Sequence, residues 1–281
     1  MSQIGITGAT GAIGSRVARA LAAEGHEPRL VVRDASRVET GLHGLPIAVV
    51  PGGYADEPEL RGALHGVDVL LLVSGAESAD RMDHHAAAVR AARDAGVRRV
   101  VYTSFFAAAP DCVFTLGRDH HATEQLIRDA GLAWTFLRDN LYLDFFPLLA
   151  GEDRVLRGPA GDGRLAAVAR EDVAAVAAAA LLDEAHAGAS YDLTGPEALT
   201  LAEAAATMTD VLGVPFGFVD ETLEEAYASR AHHGAPDWQL QAWVSTYTAI
   251  AAGELDGVTG DVERVLGRAP LSLRDVLEAG R

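Results

Sequence analysis

A run of closely spaced glycines near the start of the chain has the clearest chemical meaning in the sequence. Gly8, Gly11 and Gly14 follow an apolar stretch and precede an Ala- and Leu-rich segment. A strand, glycine turn and helix of this kind can hold a diphosphate, because glycine permits a sharp turn and a close approach of backbone to phosphate. The start of the helix adds unpaired N–H groups and a positive dipole end. The residues predicted to bind the diphosphate of a dinucleotide are Gly8, Thr10, Gly11, Ala12, Ile13 and Gly14. The alternative is a turn with a structural role only.

The residues after the second apolar run are predicted to choose between NADP and NAD. Arg33 and Asp34 follow the stretch 29–32, at the distance from the glycine turn where a residue contacts the adenosine ribose. A guanidinium at this place can pair with a 2′-phosphate and stack on adenine, whereas a carboxylate favours the unmodified ribose of NAD. We expect Arg33 to prevail, which favours NADP, as NADPH, over NAD. A solvated arginine at the start of a loop is the alternative.

Small and polar residues stand where three further strands are expected to end. Ligands of open α/β sheets bind beyond the carboxyl ends of the strands. Ser74 and Gly75 would let the sugar of the coenzyme pass close, and Thr103 and Ser104 would lie beside the nicotinamide. Asn140 follows the sixth strand and is predicted to face the nicotinamide amide. The alternative is that these polar residues only cap the segment that follows each strand.

Strand and helix signals alternate along the first half of the chain. Apolar runs at 3–7, 29–32, 47–50, 67–73, 99–104 and 133–137 alternate with helical patterns at 11–24, 57–64, 82–95 and 120–130. A helix over 171–183 and a strand over 190–193 follow, and then mostly helical signal. Near-continuous apolar strands with helical crossovers predict a Rossmann-type, doubly wound parallel sheet of the α/β class with a small, mostly helical C-terminal lobe. The predicted domains are 1–140 with 165–195 for the dinucleotide, and 141–164 with 196–281 for the substrate.

The composition excludes several classes of function. A net charge of −17 over 281 residues argues against nucleic acid or an anionic membrane as a partner. The chain has a single cysteine and no apolar run that could span a bilayer. We expect no secretory signal and a cytoplasmic protein. The histidines lack the spacing of a metal site, and no metal is predicted. All 23 basic residues are arginine, which rules out a lysine base or Schiff base.

Several segments together resemble one protein family. They are Thr7-Gly8-Ala9-Thr10-Gly11-Ala12-Ile13-Gly14, Val101-Tyr102-Thr103-Ser104, His120-His121-Ala122-Thr123-Glu124 and Phe136-Leu137-Arg138-Asp139-Asn140-Leu141-Tyr142. The chain resembles the NmrA-like branch of the atypical short-chain dehydrogenases/reductases, and it is most similar to type-2 NAD(P)H:quinone oxidoreductases and triphenylmethane dye reductases. The later segments 161–163, 170–174 and 191–195 fit the same resemblance, which therefore covers most of the chain.

The resemblance implies hydride transfer from NAD(P)H to a quinone or a quinone-like aromatic. Typical short-chain dehydrogenases move a proton with a Tyr-x-x-x-Lys pair, which a chain without lysine cannot form. Quinones and cationic dyes are already electrophilic, so positioning and exclusion of water would suffice. The resemblance also places a histidine at His120, which could donate a proton to the reduced acceptor because histidine ordinarily titrates near pH ~6.5. The alternatives are that His120 only shapes the pocket or is simply solvated.

Aromatic residues around the fifth and sixth strands could form a flat substrate pocket. Phe105, Phe106, Tyr142 and Phe146 are predicted to line it, with core packing as an equally supported alternative. The partner would then be a small aromatic molecule, and assembly into a homodimer stays open.

Two other functions are compatible with the same features. NmrA-like proteins include regulators that bind the coenzyme as redox sensors and catalyse nothing. A tailoring enzyme of aromatic natural-product biosynthesis, including an oxygen-using variant, could share the scaffold.

Overall fold

Eleven strands lie within residues 2–280, the part of the chain that the computed structural model describes. They are Ile4–Thr7 (β1), Arg29–Val32 (β2), Ile47–Val49 (β3), Val69–Leu72 (β4), Arg99–Phe105 (β5), Ala133–Asp139 (β6), Val155–Gly158 (β7), Arg164–Leu165 (β8), Ser190–Leu193 (β9), Leu199–Thr200 (β10) and Gly217–Asp220 (β11). Seven of these strands form one sheet in the order β3-β2-β1-β4-β5-β6-β9. The reversal of strand order beside β1 is that of a doubly wound fold, as predicted.

The same residues contain eleven α-helices. They are Ala12–Ala23 (α1), Glu57–Leu64 (α2), Arg81–Asp94 (α3), Thr115–Asp129 (α4), Phe146–Leu149 (α5), Arg170–Leu182 (α6), Leu201–Leu212 (α7), Leu223–Arg230 (α8), Asp237–Ala251 (α9), Asp261–Leu266 (α10) and Leu273–Ala279 (α11). Each of the four helices predicted between the first six strands is present. The last of them begins at Thr115 rather than at 120, because Gly117 in its first turn weakens the helical signal of the sequence.

The centre of the sheet is buried on both faces. Parallel pairing places Ile6 of β1 opposite Leu30 of β2 and Leu71 of β4. Every residue of β4 and β5 is buried, as expected of parallel strands covered on both faces. Because the paired strands run parallel, their carboxyl ends lie at one edge of the sheet, where the predicted binding residues lie.

The chain divides into two units that interleave along the sequence. One comprises the chain up to Ser104, Asp119–Arg138 and Val173–Tyr191, and the other comprises Phe105–Arg118, Asp139–Asp172 and the chain from Asp192. The units differ most from the predicted domains at 105–118, a segment that the sequence assigns to the dinucleotide-binding domain. This segment belongs to the second unit because Phe105 and Phe114 pack into that unit's apolar cluster.

The second unit has an apolar core of its own. Short pairings of β8 with β10 and of β7 with β11 flank helix α7, and α7 buries Leu201, Ala205 and Met208 in that core. Thr200 and Glu203 form a reciprocal capping box at the start of α7. The mostly helical C-terminal region is therefore present as predicted, with two small strand pairs that the sequence pattern did not show.

Candidate functional site

The glycine turn has the geometry of a binding loop. Gly8 adopts a left-handed backbone with φ of +61°, and its carbonyl oxygen accepts a hydrogen bond of 2.8 Å from the Gly11 N–H. A Cβ atom on Gly14 would lie 2.4 Å from that same carbonyl oxygen, a distance that side chains do not tolerate. Gly8 is needed for the turn and Gly14 for the close packing of helix on strand.

The first turn of α1 is left open for an anion. Gly11 is the N-cap residue and provides no side-chain cap, and the first turn contains no acidic residue. Gly11 and Ala12 are exposed at this end of the helix. The first N–H groups of a helix have no partner within it, so they can donate to phosphate oxygens here.

The end of β2 presents Arg33 to solvent while Asp34 is engaged in its own loop. The Asp34 Oδ1 atom accepts hydrogen bonds from the Ser36 N–H at 2.9 Å and the Ser36 hydroxyl at 2.7 Å. These bonds lower the pKa of Asp34. The Arg33 side chain runs beside Gly53, where an added Cβ would lie 3.1 Å from Arg33 Cδ.

Tyr54 and Thr7 fasten the ends of β1 and β4 to each other. The Thr7 hydroxyl donates to the Leu71 carbonyl at 3.0 Å and accepts from the Val73 N–H at 3.0 Å. The Tyr54 hydroxyl lies 2.6 Å from both Thr7 Oγ1 and the Val73 carbonyl oxygen. Burial raises the pKa of Tyr54, so Tyr54 acts here as a neutral hydrogen-bonding group.

The loop after β4 is held by two side chains of α3. The Gly75 N–H donates to His85 Nε2 at 2.8 Å, and the Gly75 carbonyl accepts from Arg81 Nε at 3.2 Å. The neighbouring Ser74 N–H donates to the Thr103 hydroxyl at 2.8 Å. Ser74, Gly75 and Thr103 thus meet at one edge of the sheet, as predicted. The sequence patterns did not reveal that His85 and Arg81 position them.

His85 is neutral because of the partners it has. Its Nε2 atom accepts a hydrogen bond from the Gly75 N–H, so the ring proton lies on Nδ1, 2.7 Å from the Thr123 hydroxyl. Burial, followed by the charge of Arg81, lowers the pKa of His85 to about 3. The histidine works as a fixed connector between α3, α4 and the Gly75 loop.

His120 occupies a buried position beside His85. Its Nε2 lies 3.1 Å from Arg81 Nη2, and its Nδ1 lies 3.1 Å from the Tyr102 hydroxyl. Arg81 also pairs with Asp119 at 3.0 Å. Burial and the Arg81 charge hold the pKa of His120 well below its ordinary value. The prediction that His120 donates a proton assumed an ordinary histidine pKa. The buried, neutral imidazole does not meet that assumption.

Ser104 has its hydroxyl turned toward α4 rather than toward open space. It donates to Glu124 Oε1 at 2.7 Å. Glu124 is fully buried and accepts two hydrogen bonds of 2.8 Å from the Arg138 guanidinium, with Arg128 at 3.3 Å. The Ser104 hydroxyl proton is therefore used within the protein and is not available to a coenzyme.

Asn140 is engaged entirely within the second unit. Its Nδ2 group donates to the Leu255 carbonyl at 3.1 Å, and its Oδ1 accepts from the Leu141 N–H at 2.8 Å. The residue is 1% exposed. These contacts differ from the predicted contact with a nicotinamide amide, because both polar ends of the side chain are already used in shaping the chain after β6.

The four aromatic residues predicted to line a substrate pocket are not equivalent. Phe146 is 1% exposed and belongs to the apolar core of the second unit, so it is a packing residue rather than a lining residue. Phe105 is likewise buried and lies 4.7 Å from the Phe114 ring centroid. Phe106 and Tyr142 are partly exposed and keep side chains that a ligand could contact.

Tyr142 has a partner that the sequence analysis did not single out. Its hydroxyl donates to Asp139 Oδ2 at 2.9 Å. Asp139 ends β6 and is 1% exposed, and burial raises its pKa well above the usual value. An aspartate directly after Arg138 at a strand end was the available signal.

Two classes of site find no support within residues 2–280. Across this range, no three His, Cys, Asp or Glu side chains are grouped so that they could hold a metal ion. None of the helices in the same range combines the length and the apolar content needed to cross a membrane.

A comparison with known proteins agrees with the geometry of the glycine turn. A family model described as NAD(P)H-binding matches residues 8–184, more than half of the chain. The chain belongs to the NAD(P)H-binding family. The match begins at Gly8, the left-handed residue of the turn, and extends through α6.

Relatives of this NAD(P)H-binding chain are similar over nearly their full lengths. NAD(P)H azoreductase of Xenophilus azovorans is 31% identical over 277 residues, which cover 98% of this chain and 96% of the relative. Quinone oxidoreductase 2 of Escherichia coli strain K12 is also 31% identical, with 97% of this chain and 96% of the relative covered. The chain is thus an NAD(P)H-dependent oxidoreductase, as predicted.

Solved structures of relatives have the same fold. The NADPH complex of quinone oxidoreductase QOR2 from Escherichia coli is 29% identical, covers 99% of both chains and has a TM-score of 0.89. The NADP(H) complex of Citrobacter sp. triphenylmethane reductase is 29% identical, covers 99% of this chain and 100% of that chain, and has a TM-score of 0.86. The predicted resemblance to quinone and dye reductases is confirmed.

Proposed function

We propose that this protein reduces quinones or quinone-like aromatic compounds with NADPH. Relatives named for the reduction of azo compounds, quinones and triphenylmethanes support the acceptor class. The glycine turn carries the coenzyme part of the proposal, because its tight backbone and uncapped helix leave N–H groups directed at a diphosphate.

In this proposal, backbone N–H groups of the glycine turn bind the diphosphate. The residues proposed to hold it are Gly8, Thr10, Gly11, Ala12, Ile13 and Gly14. Gly14 permits the packing of α1 against β1, and Gly8 permits the turn. The helix dipole adds an attraction of about 0.3–1 kcal/mol for a charge at an exposed N-terminus.

The arrangement after β2 favours NADPH over NADH. Arg33 is exposed and is free to swing over a 2′-phosphate, with Gly53 leaving room for its methylene groups. Asp34 is held by Ser36 and is therefore a poorer partner for a ribose diol. The loop geometry thus supports the phosphate-bearing coenzyme.

The nicotinamide half of the coenzyme would lie near the ends of β4 and β5. Bound NADPH supplies a hydride to the acceptor. Ser74 and Gly75 offer backbone at this edge, fixed by His85 and Arg81, and Thr103 holds Ser74 in place. These residues keep the loop rigid, which lowers the entropic cost of orienting the reactants.

The acceptor is expected to need little acid–base assistance. The chain contains no lysine, so it has no Tyr-Lys pair for reducing an ordinary ketone. His120 lies buried and neutral beside Arg81, which makes it a positioning residue in this proposal. Quinone-like acceptors fit these limits because they are electrophilic without protonation.

The experiment is a turnover assay with purified protein and a panel of benzoquinones, naphthoquinones and cationic triphenylmethane dyes. We expect loss of reduced nicotinamide absorbance with at least one of these acceptors, and a higher kcat/KM with NADPH than with NADH. Calorimetric titration with NADPH and NADP+ measures binding separately. Tight binding of both redox forms without turnover of any acceptor would contradict the proposal and would instead support a redox sensor.

A further inference from the structure

The sheet reverses its strand order beside β1, and this creates a crevice between two binding loops. β1 pairs in parallel with β2 on one side and with β4 on the other. Its pairing with β4 ends at Ile6 and Leu71, before the loops begin. In open α/β sheets, ligands bind in the crevice beyond the carboxyl ends of the strands at such a reversal. The loops after β1 and β4 are therefore the two sides of the proposed coenzyme site.

Tyr54 spans this crevice with its hydroxyl group. The hydroxyl oxygen lies 2.6 Å from Thr7 Oγ1, at the last residue of β1, and 2.6 Å from the carbonyl oxygen of Val73, directly after β4. Gly8 follows Thr7 in the chain, and Ser74 follows Val73. One side-chain oxygen thus contacts the residue before each of the two binding loops.

Thr7 joins the same two strands independently of Tyr54. The residue is 1% exposed. Its hydroxyl donates to the Leu71 carbonyl and accepts from the Val73 N–H, each at 3.0 Å. Without the Tyr54 hydroxyl, β1 and β4 stay joined through Thr7, so the loss of that hydroxyl acts on the loops rather than on the sheet.

The phenol ring of Tyr54 is held by its neighbours. Tyr54 lies in a short helical turn, Gly53–Ala55, in which Gly53 has a φ of +58°. Its ring stands edge-on to that of His85, with the centroids 6.4 Å apart. An added Cβ on Gly75 would lie 3.7 Å from Tyr54 Cδ2, so the ring lies beside the Gly75 loop. The hydroxyl is therefore in place before a ligand arrives, which lowers the cost of binding.

The hydroxyl of Tyr54 holds distances and takes no part in proton transfer. Burial raises the pKa of Tyr54, and the Thr7 hydrogen bond and the charge of Arg33 only partly oppose this. The phenol stays protonated at neutral pH and keeps its hydrogen bonds there. Such a role agrees with an acceptor that needs little acid–base assistance.

We propose that Tyr54 is a positioning residue for the coenzyme: its hydroxyl sets the separation between the glycine turn and the Ser74–Gly75 loop. This inference rests on the proposed function. The turn binds the diphosphate and the loop lies beside the nicotinamide half, so one molecule contacts both. Hydrogen bonds from N–H groups need donor–acceptor distances of about 2.7–3.2 Å. A wider separation of the two loops therefore costs contacts at one end of the coenzyme or the other.

A coenzyme fragment separates this role from a general effect on the glycine turn. The compound 2′-phosphoadenosine 5′-diphosphate has the diphosphate and the 2′-phosphate but lacks the nicotinamide half. It can contact the glycine turn and Arg33 without reaching the Ser74–Gly75 loop. A change in loop separation should weaken the binding of NADP+ and leave the binding of the fragment unchanged.

Tyr191 provides the matched control for the loss of a buried tyrosine hydroxyl. It is 8% exposed, and its hydroxyl lies 2.7 Å from His186 Nδ1. It belongs to the same unit as Tyr54. β5 and β6 separate its strand, β9, from β4. Tyr191→Phe removes a comparable hydrogen bond at a distance from both binding loops.

The test is calorimetric titration of wild type, Tyr54→Phe and Tyr191→Phe with NADP+, NADPH and the fragment. In Tyr54→Phe we expect both coenzyme forms to bind about tenfold more weakly, or about 1.4 kcal/mol, which is the scale of one hydrogen bond. The fragment should bind as it does to wild type, and Tyr191→Phe should bind all three normally. Wild-type affinity of Tyr54→Phe for NADP+ would overturn the inference. An equal loss for NADP+ and the fragment would also overturn it, because Tyr54 would then support only the glycine turn.

Turnover of the same proteins distinguishes this inference from the proposed function. With a quinone or dye that is reduced, we expect Tyr54→Phe to raise the KM for NADPH and Tyr191→Phe to leave it unchanged. If no acceptor is reduced but the calorimetric pattern is found, the proposed function fails while the positioning role stands. If acceptors are reduced and Tyr54→Phe behaves like wild type in both assays, the positioning role is wrong and the proposed function survives.

Discussion

Single atoms decide whether the glycine turn can form. The Gly8 carbonyl accepts the Gly11 N–H and also lies where a Cβ on Gly14 would be. The same carbonyl group thus closes the turn and forms the surface on which α1 packs. A substitution at Gly14 acts on the binding loop directly, although its side chain would face the protein rather than the ligand.

Gly14→Ala is expected to weaken coenzyme binding about tenfold or more. The added methyl would lie 2.4 Å from the Gly8 carbonyl oxygen, so α1 must move away from β1 and shift its N–H groups. Gly62→Ala is the matched control, because Gly62 lies in α2 with nothing within 4 Å of an added Cβ. The control should bind normally and gain up to about 1 kcal/mol in stability. Calorimetric titration with NADPH measures both, and equal affinity in the two variants would exclude the proposed turn.

The buried carboxylate of Glu124 fixes the position of α4 against β5 and β6, which apolar packing alone would fix less precisely. Glu124 on α4 receives hydrogen bonds from Ser104 at the end of β5 and from Arg138 on β6. The bidentate Arg138 contact fixes orientation as well as distance. One side chain thereby sets how α4 lies against two neighbouring strands.

Glu124→Gln should destabilise the protein by about 1.5–3 kcal/mol, because the hydrogen bonds to a buried carboxylate are replaced by weaker ones to a neutral amide. Glu57→Gln provides the comparison: Glu57 pairs with Arg90 at 2.7 Å on the surface, and exposed pairs contribute about 0–1 kcal/mol. Urea denaturation followed by circular dichroism gives both free energies of unfolding. Similar small losses in the two variants would mean that Glu124 does not hold α4 to the sheet.

The acid stability of the whole molecule depends on buried neutral histidines. The pKa of His85 is about 3 in the folded protein, whereas an unfolded histidine titrates near ~6.5. Below pH ~6.5 the unfolded chain binds more protons than the folded one, so the contribution of His85 to stability is complete above that pH and is lost as pH falls toward 3. His120 acts in the same direction.

His85→Gln should flatten the dependence of stability on pH. Between pH 6 and 4, a fully coupled histidine contributes a slope of about 1.4 kcal/mol per pH unit, and the variant should lack it. Glutamine keeps an acceptor for the Gly75 N–H. Chemical denaturation at several pH values gives the slope, with His233→Gln as the control at an exposed histidine. A slope equal to that of wild type would show that His85 is not protonated on unfolding in this range.

The sequence predicted the sheet and its binding edge because these rest on local patterns. Strands buried on both faces are mostly apolar, as β4 is throughout and β5 is in its first half after Arg99. The Gly8–Gly14 spacing can be recognised in the sequence without any tertiary contact. Both features are present in the structure, and the strand boundaries differ from the predicted ones by at most two residues. The start of α4 was missed because Gly117 obscures the helical signal.

The roles of individual site residues depend on contacts between distant parts of the chain. Phe146 is a buried core residue, and the Asn140 side chain donates a hydrogen bond to the Leu255 carbonyl. Burial keeps the His120 imidazole neutral. The sequence by itself determined the apolar periodicity, the glycine turn and the absence of lysine, since each is a property of the chain. Only the tertiary structure decided which carboxyl groups are paired, like Glu124, and which, like Asp139, are buried with a raised pKa. Desolvation and hydrogen bonding are set by neighbours that sequence spacing does not show.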